Sequence, residues 1–251
     1  MTASLDNSIG KVFEALHNTN MLSNTIVVFA SDNGGETDLS LNGYSSNYPL
    51  RGKKFYIWEG GIRVPAFIWS PLLQLREPRI STQLMHVADW LPTLYTAAGG
   101  DTRKLGDIDG QSIWDALVTN SPSPRSEILH NIDPIDNVSS LRRGDLKLIT
   151  GNLTTSMETW SGKAVLEDMS KPQSMDEWVF KNGSLVRDIL RKMGLYLPQA
   201  ADTWRKSSEV KCDGASEAAN DCNPLYAPCL FNITADPCEM NNIADRHPEN
   251  I

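Results

Sequence analysis

The 251-residue sequence contains no apolar run that approaches the roughly 18 residues of a membrane-spanning helix. Its first residues, Met-Thr-Ala-Ser-Leu-Asp, lack the basic and apolar regions of a signal peptide. Positive charge is also scarce, because 23 lysines and arginines stand against 31 aspartates and glutamates, which gives a formal net charge of −8. This balance argues against nucleic acid or an anionic membrane surface as a general partner.

Histidine and cysteine are rare, with four of each, and no Cys-x-x-Cys occurs. A zinc site is therefore disfavoured. All the cysteines lie in the loop-rich carboxyl-terminal region, at Cys212, Cys222, Cys229 and Cys238. An even number in such a region favours two disulfides and an oxidising compartment. Free thiols in a cytosolic protein are the alternative.

Four cysteines allow three pairings. Cys229 with Cys238 is preferred, because the turn predicted between them can bring their α-carbons to within about 7 Å. Cys212 with Cys222 then follows by elimination.

Asn-x-Ser/Thr sequons are typical of secreted glycoproteins. The sequence has four of them, at Asn137, Asn152, Asn182 and Asn232.

The amino-terminal third predicts an αβ unit. Apolar residues with helical spacing run from Leu5 to Leu16 and predict an amphipathic helix. A buried strand is predicted from near Thr25, and a second strand over Val64–Ser70. Asp89 is a candidate N-cap of the next helix, and His86 before it reads as a hydrogen-bonded structural residue rather than a ligand.

The carboxyl-terminal half predicts an antiparallel sheet with helices. A strand at Glu127–His130 is followed by a hairpin that turns at Gly144-Asp145. Apolar spacing predicts a helix from Leu185 to Met193, and another helix is expected to carry Trp204. A last strand is predicted to begin at Cys229.

The stretch from Thr25 to Arg63 carries the residues with chemical potential. Its strand ends at Asp32 and Asn33, two oxygen donors that precede two glycines. A basic cluster of Arg51, Lys53 and Lys54 follows about twenty residues later. Oxygen ligands beside cations suit a hard metal ion bound with an anionic group. An Asn-Gly hairpin turn and a solvated basic surface are the alternative.

The order of these motifs resembles the sulfatases, in particular their arylsulfatase B-like branch. The matching motifs are Asp-Asn-Gly-Gly, Pro-Leu-Arg-Gly-x-Lys, Trp-Glu-Gly-Gly-x-Arg, the Asp-Trp-Leu-Pro-Thr-Leu helix, Arg-Arg-Gly-Asp-Leu-Lys-Leu and Leu-Phe-Asn-Ile-x-x-Asp-Pro-Cys-Glu. The resemblance implies an α/β fold. A partial alkaline-phosphatase-like sulfatase domain over residues 1–125 would be followed by a small α+β domain with an antiparallel sheet and disulfides over residues 126–251.

The resemblance also implies roles for particular residues. Asp32 and Asn33 would be ligands of Ca²⁺, and Lys54 would be a catalytic residue that contacts the substrate sulfate. Arg51 and Arg63 read as structural arginines of glycine-rich turns. The implied substrate is a sulfated small molecule or glycan, and the implied location is lysosomal or secreted, with the signal peptide upstream of this chain.

The family's nucleophile has no counterpart in this sequence. That residue is a cysteine or serine, converted to formylglycine, in Cys/Ser-x-Pro/Ala-x-Arg. The paired aspartates of the metal site are also missing. We therefore expect a fragment of a sulfuric ester hydrolase that is inactive alone. A phosphate-ester hydrolase is disfavoured by the scarcity of histidine. The other alternative is a non-catalytic secreted sulfatase-fold domain that binds a glycan or a protein.

Overall fold

The computed structural model describes residues 2–38, 43, 45–73, 75, 78–152, 183–196, 207–212 and 222–250. The chain divides into two compact units. Unit 1 comprises Met1–Ser31, Pro65–Ile80 and Ala164–Glu209, and unit 2 comprises Asp32–Val64, Ser81–Lys163 and Val210–Ile251. Unit 2 thus takes residues from both sides of position 125, and the domain division at that position stays a prediction.

The regular elements follow one another in a mixed order. The helices are α1 (Thr2–Asn18), α2 (Glu59–Ile62), α3 (Trp90–Ala97), α4 (Trp114–Thr119) and α5 (Leu185–Lys192). The strands are β1 (Val27–Ala30), β2 (Ala66–Trp69), β3 (Glu127–Asp133), β4 (Val138–Arg143), β5 (Leu146–Gly151) and β6 (Cys229–Asn232). Within the described residues, no helix combines the length and the apolar character needed to cross a bilayer.

Unit 1 is built on the apolar face of α1. Phe13, Leu22 and Ile189 form its buried core, and the rings of Phe13 and Trp69 lie 5.3 Å apart. The side chain of Ser184 accepts a hydrogen bond from the backbone N–H of Arg187 and so caps α5. The helices predicted over 5–16 and 185–193 are confirmed. The helix expected around Trp204 lies outside the described residues.

The two predicted strands of unit 1 pair with each other. β1 runs antiparallel to β2, with Val27 opposite Trp69 and Ala30 opposite Ala66. The expectation of a fully buried β1 is wrong, because its residues are half-buried or exposed. A strand is fully buried only where other elements cover both faces of its sheet.

Unit 2 contains a four-stranded antiparallel sheet in the order β3-β4-β5-β6. The β4–β5 hairpin turns at Gly144 and Asp145, as predicted, and Gly144 has a φ of 56°, which glycine adopts without strain. On the inner face Ile149 and Phe231 pack with Trp58, whose ring lies 5.9 Å from that of Phe231.

Both disulfides form, but not in the preferred pairing. Cys212 bonds to Cys238, with a Cα–Cα distance of 5.9 Å, and Cys222 bonds to Cys229, at 5.6 Å. The expected Cys229–Cys238 and Cys212–Cys222 bridges are therefore wrong. The chain turns sharply after Asn223, whose carbonyl accepts hydrogen bonds from two following N–H groups, and this turn returns Cys222 to the start of β6.

A buried aspartate joins three segments of unit 2. The carboxylate of Asp89 accepts hydrogen bonds from the N–H groups of His86 and Gln111, at 2.7 and 2.8 Å, and a paired contact from Arg125. It is fully buried. Burial raises the pKa of Asp89, but these hydrogen bonds, led by that of Arg125, lower it by more. Asp89 precedes α3, yet its side chain does not cap it. His86 is a structural residue, as expected, and its Nδ1 accepts from the N–H of Ala88.

A second buried cluster centres on Lys147, which is 0% exposed. Its Nζ lies 2.9 Å from Oε1 of Glu59 and 2.7 Å from Oε1 of Glu239. Burial raises the pKa of Glu239 to about 7, an effect that the charge of Lys147 only partly offsets. Burial also raises the pKa of Glu59, but the charge and hydrogen bond of Lys147 outweigh it and leave that pKa below its usual value.

The Asp89→Asn variant is expected to lower the free energy of unfolding by about 3 kcal/mol, because it leaves the largely buried guanidinium of Arg125, which is 10% exposed, without a counter-charge. Urea denaturation measures the change. Asp101→Asn is the matched control, since Asp101 makes the same paired contact with Arg103 at an exposed site. We expect that variant to unfold like the parent chain. Equal changes in the free energy of unfolding for the two variants would contradict the claim that the Asp89–Arg125 pair contributes more to stability because it is buried.

The Glu239→Gln variant is expected to change how stability depends on pH. Between the ordinary pKa of 4.5 and the folded value of about 7, the folded chain holds a proton on Glu239 that the unfolded chain has released. The stability of the parent chain relative to the variant should therefore fall by about 1–3 kcal/mol as the pH rises from about 5 to about 8.

Urea denaturation at several pH values tests this expectation. Burial lowers the pKa of His130 to about 3, and that titration is present in both proteins, so it cancels in the comparison. Parallel stability curves for the parent chain and the variant would show that Glu239 does not titrate in this range.

Candidate active site

Two loops of unit 2 bring together the motifs that the sequence keeps twenty residues apart. The N–H of Gly34 donates to the carbonyl of Gly61, at 2.7 Å, and the N–H of Lys54 donates to the carbonyl of Gly35, at 3.1 Å. The side-chain amide of Asn47 adds two bonds to Gly35, one from its N–H and one to its carbonyl, at 2.7 and 2.8 Å. The Asp-Asn-Gly-Gly loop is thus attached directly to the loop that carries Lys54.

Glycine is required where these loops meet. A Cβ on Gly34 would lie 1.8 Å from the carbonyl oxygen of Gly60, and one on Gly61 would lie 2.1 Å from that of Tyr56. Only a residue without a side chain permits such an approach of two backbones. The alternative of a hairpin turn at Asn33-Gly34 is wrong, because β1 pairs with the distant β2.

Asp32 and Asn33 lie at the start of the first loop. Asp32 is exposed, and its Oδ1 accepts a hydrogen bond from the N–H of Asn33, at 2.9 Å. The Nδ2 of Asn33 donates to the carbonyl of Gly34, at 2.7 Å. An amide group coordinates a cation through its oxygen, so the oxygen of Asn33 is the candidate ligand atom.

The donors fit Ca²⁺ in kind but not in number. Carboxylate and amide oxygens are the ligands that calcium prefers, but its shell takes about six to eight of them. Across the described ranges, no group of three histidine, cysteine, aspartate or glutamate side chains is placed to hold a metal ion. Asp32 and Asn33 are the two donors that we assign to a calcium site in the described part of this chain, and two ligands are too few to fill its shell.

The adjacent lysines Lys53 and Lys54 have different environments. Lys53 is 5% exposed, and its Nζ lies 2.7 Å from the carboxylate of Glu36 and 3.6 Å from that of Asp38. Burial lowers the pKa of Lys53, but its hydrogen bond with Glu36 and the nearby negative charges, led by that of Glu36, together outweigh this and raise the pKa above its usual value. Lys54 is half-buried, and its Nζ lies 5.4 Å from the ring centre of Phe55, which is 82% exposed.

The two arginines of the stretch make structural contacts, as expected. The guanidinium of Arg51 lies 3.6 Å from the ring centre of Trp58, and its Nη1 donates to the carbonyl of Glu239, at 3.2 Å. Nη1 of Arg63 lies 4.0 Å from Oε2 of Glu59. Both arginines therefore serve the loop rather than a ligand in these contacts.

The sequence analysis missed the contribution of Lys147 and Glu239 to this region. Lys147 could have been found, because the two-residue period of a strand places it on the same face as the buried Ile149. No comparable signal marks Glu239, which follows Cys238 in a turn with a φ of 54°. Its position beside Glu59 depends on the folding of distant segments.

The sequons lie in different surroundings. Asn137 and Asn152 are exposed, and the N–H of Asn152 donates to the carbonyl of Asn137, at 2.8 Å. Asn232 is half-buried, with its Oδ1 bonded to the N–H groups of Thr234 and Ala235. Asn182 lies outside the described residues. Glycosylation at these four positions stays a prediction.

Comparison with known proteins gives consistent matches. The sulfatase family model matches residues 1–100. Arylsulfatase J of Mus musculus is 31% identical over 248 residues, which cover 99% of this chain and 36% of the relative. This chain thus spans little more than a third of that protein's length.

Solved structures share the fold. A Bacteroides thetaiotaomicron protein, described as part of a genetic locus for the metabolism of multiple glycosaminoglycans, matches 98% of this chain and 40% of its own with a TM-score of 0.59 and 21% identity. A candidate sulfatase from Bacteroides fragilis matches 98% of this chain and 37% of its own with a TM-score of 0.54 and 17% identity. The expected α/β, alkaline-phosphatase-like fold is confirmed, and the matches support a relationship of this chain to the sulfatase family.

Proposed function

We propose that this chain is part of a sulfuric ester hydrolase of the arylsulfatase B-like type, which acts on a sulfated small molecule or glycan. The observation that carries the proposal is the attachment of the Asp-Asn-Gly-Gly loop to the loop of Lys54 by the bonds Gly34–Gly61 and Lys54–Gly35. These bonds hold two oxygen donors and a cation within neighbouring loops. A sulfate ester requires that combination, because its oxygens are anionic and its leaving group develops negative charge.

Each residue of this chain has a defined part in the proposal. The ammonium of Lys54 binds the sulfate and stabilises the charge that develops on the departing oxygen. Asp32 and Asn33 supply two of the ligands of Ca²⁺, which when bound polarises the sulfate. Lys53 does not contact substrate in this scheme, since its ammonium is held by Glu36. The formylglycine nucleophile and the other metal ligands that this scheme needs have no counterpart in this sequence.

The two disulfides support a lysosomal or secreted location. The glycan substrate rests on the arylsulfatase B-like motifs. A non-catalytic secreted sulfatase-fold domain that binds a glycan or a protein is the second candidate function, and it is favoured by the absence of the family's nucleophile motif from this sequence.

The purified 251-residue chain alone should not hydrolyse an aryl sulfate, because it lacks a nucleophile and most of a calcium shell. Release of the coloured phenol above that of a buffer blank measures this. Turnover that disappears in the Lys54→Ala variant would contradict the expectation.

A chimera tests the function itself. The part of mouse Arylsulfatase J that precedes the matched segment would be joined to this chain and produced in a host that forms formylglycine. We expect turnover of an aryl sulfate, and we expect Lys54→Ala to reduce kcat by about 10²–10³-fold, as is typical when one charge-stabilising donor is removed.

Lys104→Ala is the matched control, since Lys104 is an exposed lysine of the same unit outside the two loops, and it should leave turnover unchanged. An active chimera that is insensitive to Lys54→Ala would refute the role of Lys54. A folded, inactive chimera that binds sulfated glycans would favour the non-catalytic domain instead.

A further inference from the structure

Glu239 contacts both ends of the segment that carries Lys54. Its Oε2 accepts a hydrogen bond from the N–H of Glu59, at 2.7 Å, and its carbonyl accepts one from Nη1 of Arg51, at 3.2 Å. Arg51 and Glu59 bracket Lys54 in the chain, whereas Glu239 lies 180 or more residues away. One residue thus fixes the beginning and the end of the loop, through its backbone at one end and its side chain at the other.

Glu239 is itself held firmly in place. The neighbouring Cys238 is bonded to Cys212, and the N–H of Glu239 donates to the carbonyl of Asp236, at 3.2 Å. The carboxylate of Asp236 accepts bonds from the next two N–H groups, those of Met240 and Asn241, at 2.8 and 2.7 Å. This turn gives Glu239 a fixed position before it contacts the loop.

The fixed ends constrain the middle of the loop. The N–H of Gly60 donates to the carbonyl of Arg51, at 2.6 Å, which closes the loop on itself. Within the loop, the N–H of Tyr56 donates to the backbone carbonyl of Lys53. The N–H of Lys54 donates to the backbone carbonyl of Gly35. These bonds fix the backbone of the loop at Lys54. The remaining conformational freedom of Lys54 is therefore mainly that of its side-chain rotamers.

Burial of the Glu239 carboxylate costs free energy that a buried apolar side chain would not. Glu239 is fully buried, and it shares Lys147 with a second carboxylate, that of Glu59. Two buried acids on one ammonium are less favourable than apolar side chains of similar volume. The hydrogen bond that Glu239 accepts from the loop is the feature that such an apolar side chain could not provide.

We propose that Glu239 is a positioning residue for Lys54, which holds the Arg51–Glu59 segment in the conformation that bonds the N–H of Lys54 to Gly35 of the Asp-Asn-Gly-Gly loop. The inference rests on the proposed function for the role of Lys54 in binding sulfate. The contact of Glu239 with the loop stands on its own and can be tested separately.

Two variants of matched size separate the acceptor from the charge. Glu239→Gln and Glu239→Met both remove the carboxylate from Lys147, but only glutamine keeps an oxygen that can accept from the N–H of Glu59. Amide hydrogen exchange of the full ¹⁵N-labelled chain at Glu59 reports the loop, and exchange at Leu141 and Leu148 in the sheet reports global stability.

We expect Glu239→Met to accelerate exchange at Glu59 by about tenfold relative to the two sheet amides, the effect of one lost hydrogen bond to a buried acceptor. Glu239→Gln should stay within about threefold of the parent chain, because the acceptor is retained. Equal acceleration at all three amides in both variants, or no acceleration at Glu59, would overturn the proposal and leave Glu239 a structural residue only.

The side chain of Lys54 provides the second measurement. Its ¹³Cε chemical shift, recorded with and without sodium sulfate at matched ionic strength, should be the same in the parent chain and in Glu239→Gln and should differ in Glu239→Met. An unchanged shift in Glu239→Met would refute positioning. Sulfate could leave the Lys54 signal unchanged in all three proteins while Glu59 still exchanges faster in Glu239→Met than in Glu239→Gln. That result would refute the proposed contact of Lys54 with sulfate and would support the positioning of the loop by Glu239.

Discussion

The ammonium of Lys147, buried between the carboxylates of Glu59 and Glu239, is the constraint on which unit 2 depends. A charge in that position must be matched, because an unpaired buried ion costs several kcal/mol. This requirement brings three segments into contact, each of which supplies one charged residue. They are α2 with Glu59, strand β5 with Lys147, and the turn after Cys238 with Glu239. The sheet and the candidate active site therefore share one electrostatic centre, and a change at any of the three residues affects both.

The lysine pair Lys53-Lys54 shows how the same residue type serves two purposes in one loop. Lys53 forms an ion pair with Glu36, the residue that directly follows the Asp-Asn-Gly-Gly run, and so holds that end of the loop in place. Lys54 lies beside the exposed ring of Phe55 and makes its described loop contact through the backbone. The buried ion pair of Lys53 with Glu36 ties the two loops together, and Lys54 is the residue to which we assign a ligand in the proposed function.

Local pattern predicted most of the regular structure, since α1, the β4–β5 hairpin and α5 depend on periodicity and turn chemistry within one segment. The exposure of β1 and the pairing of Cys212 with Cys238 were not predictable in this way. Both depend on contacts between segments that are distant in sequence. The same holds for the candidate site. Its motifs predict Asp32, Asn33 and Lys54, and those roles stay a prediction. The contacts of Glu239 with Arg51 and Glu59, in contrast, arise only in the folded chain.

The hydrogen bond between Glu59 and Glu239 joins residues 180 positions apart, and this separation has a consequence for synthesis. Every residue from Asp32 to Arg63 leaves the ribosome long before residue 239 does. The candidate site therefore lacks its contacts with Glu239 while most of unit 2 is translated. A chain shortened by a nonsense codon or cleaved ahead of Cys238 keeps the whole motif stretch and loses the acceptor that orders it. Glu239 is thus synthesised 180 residues after Glu59, the residue of the candidate site to which it is hydrogen-bonded.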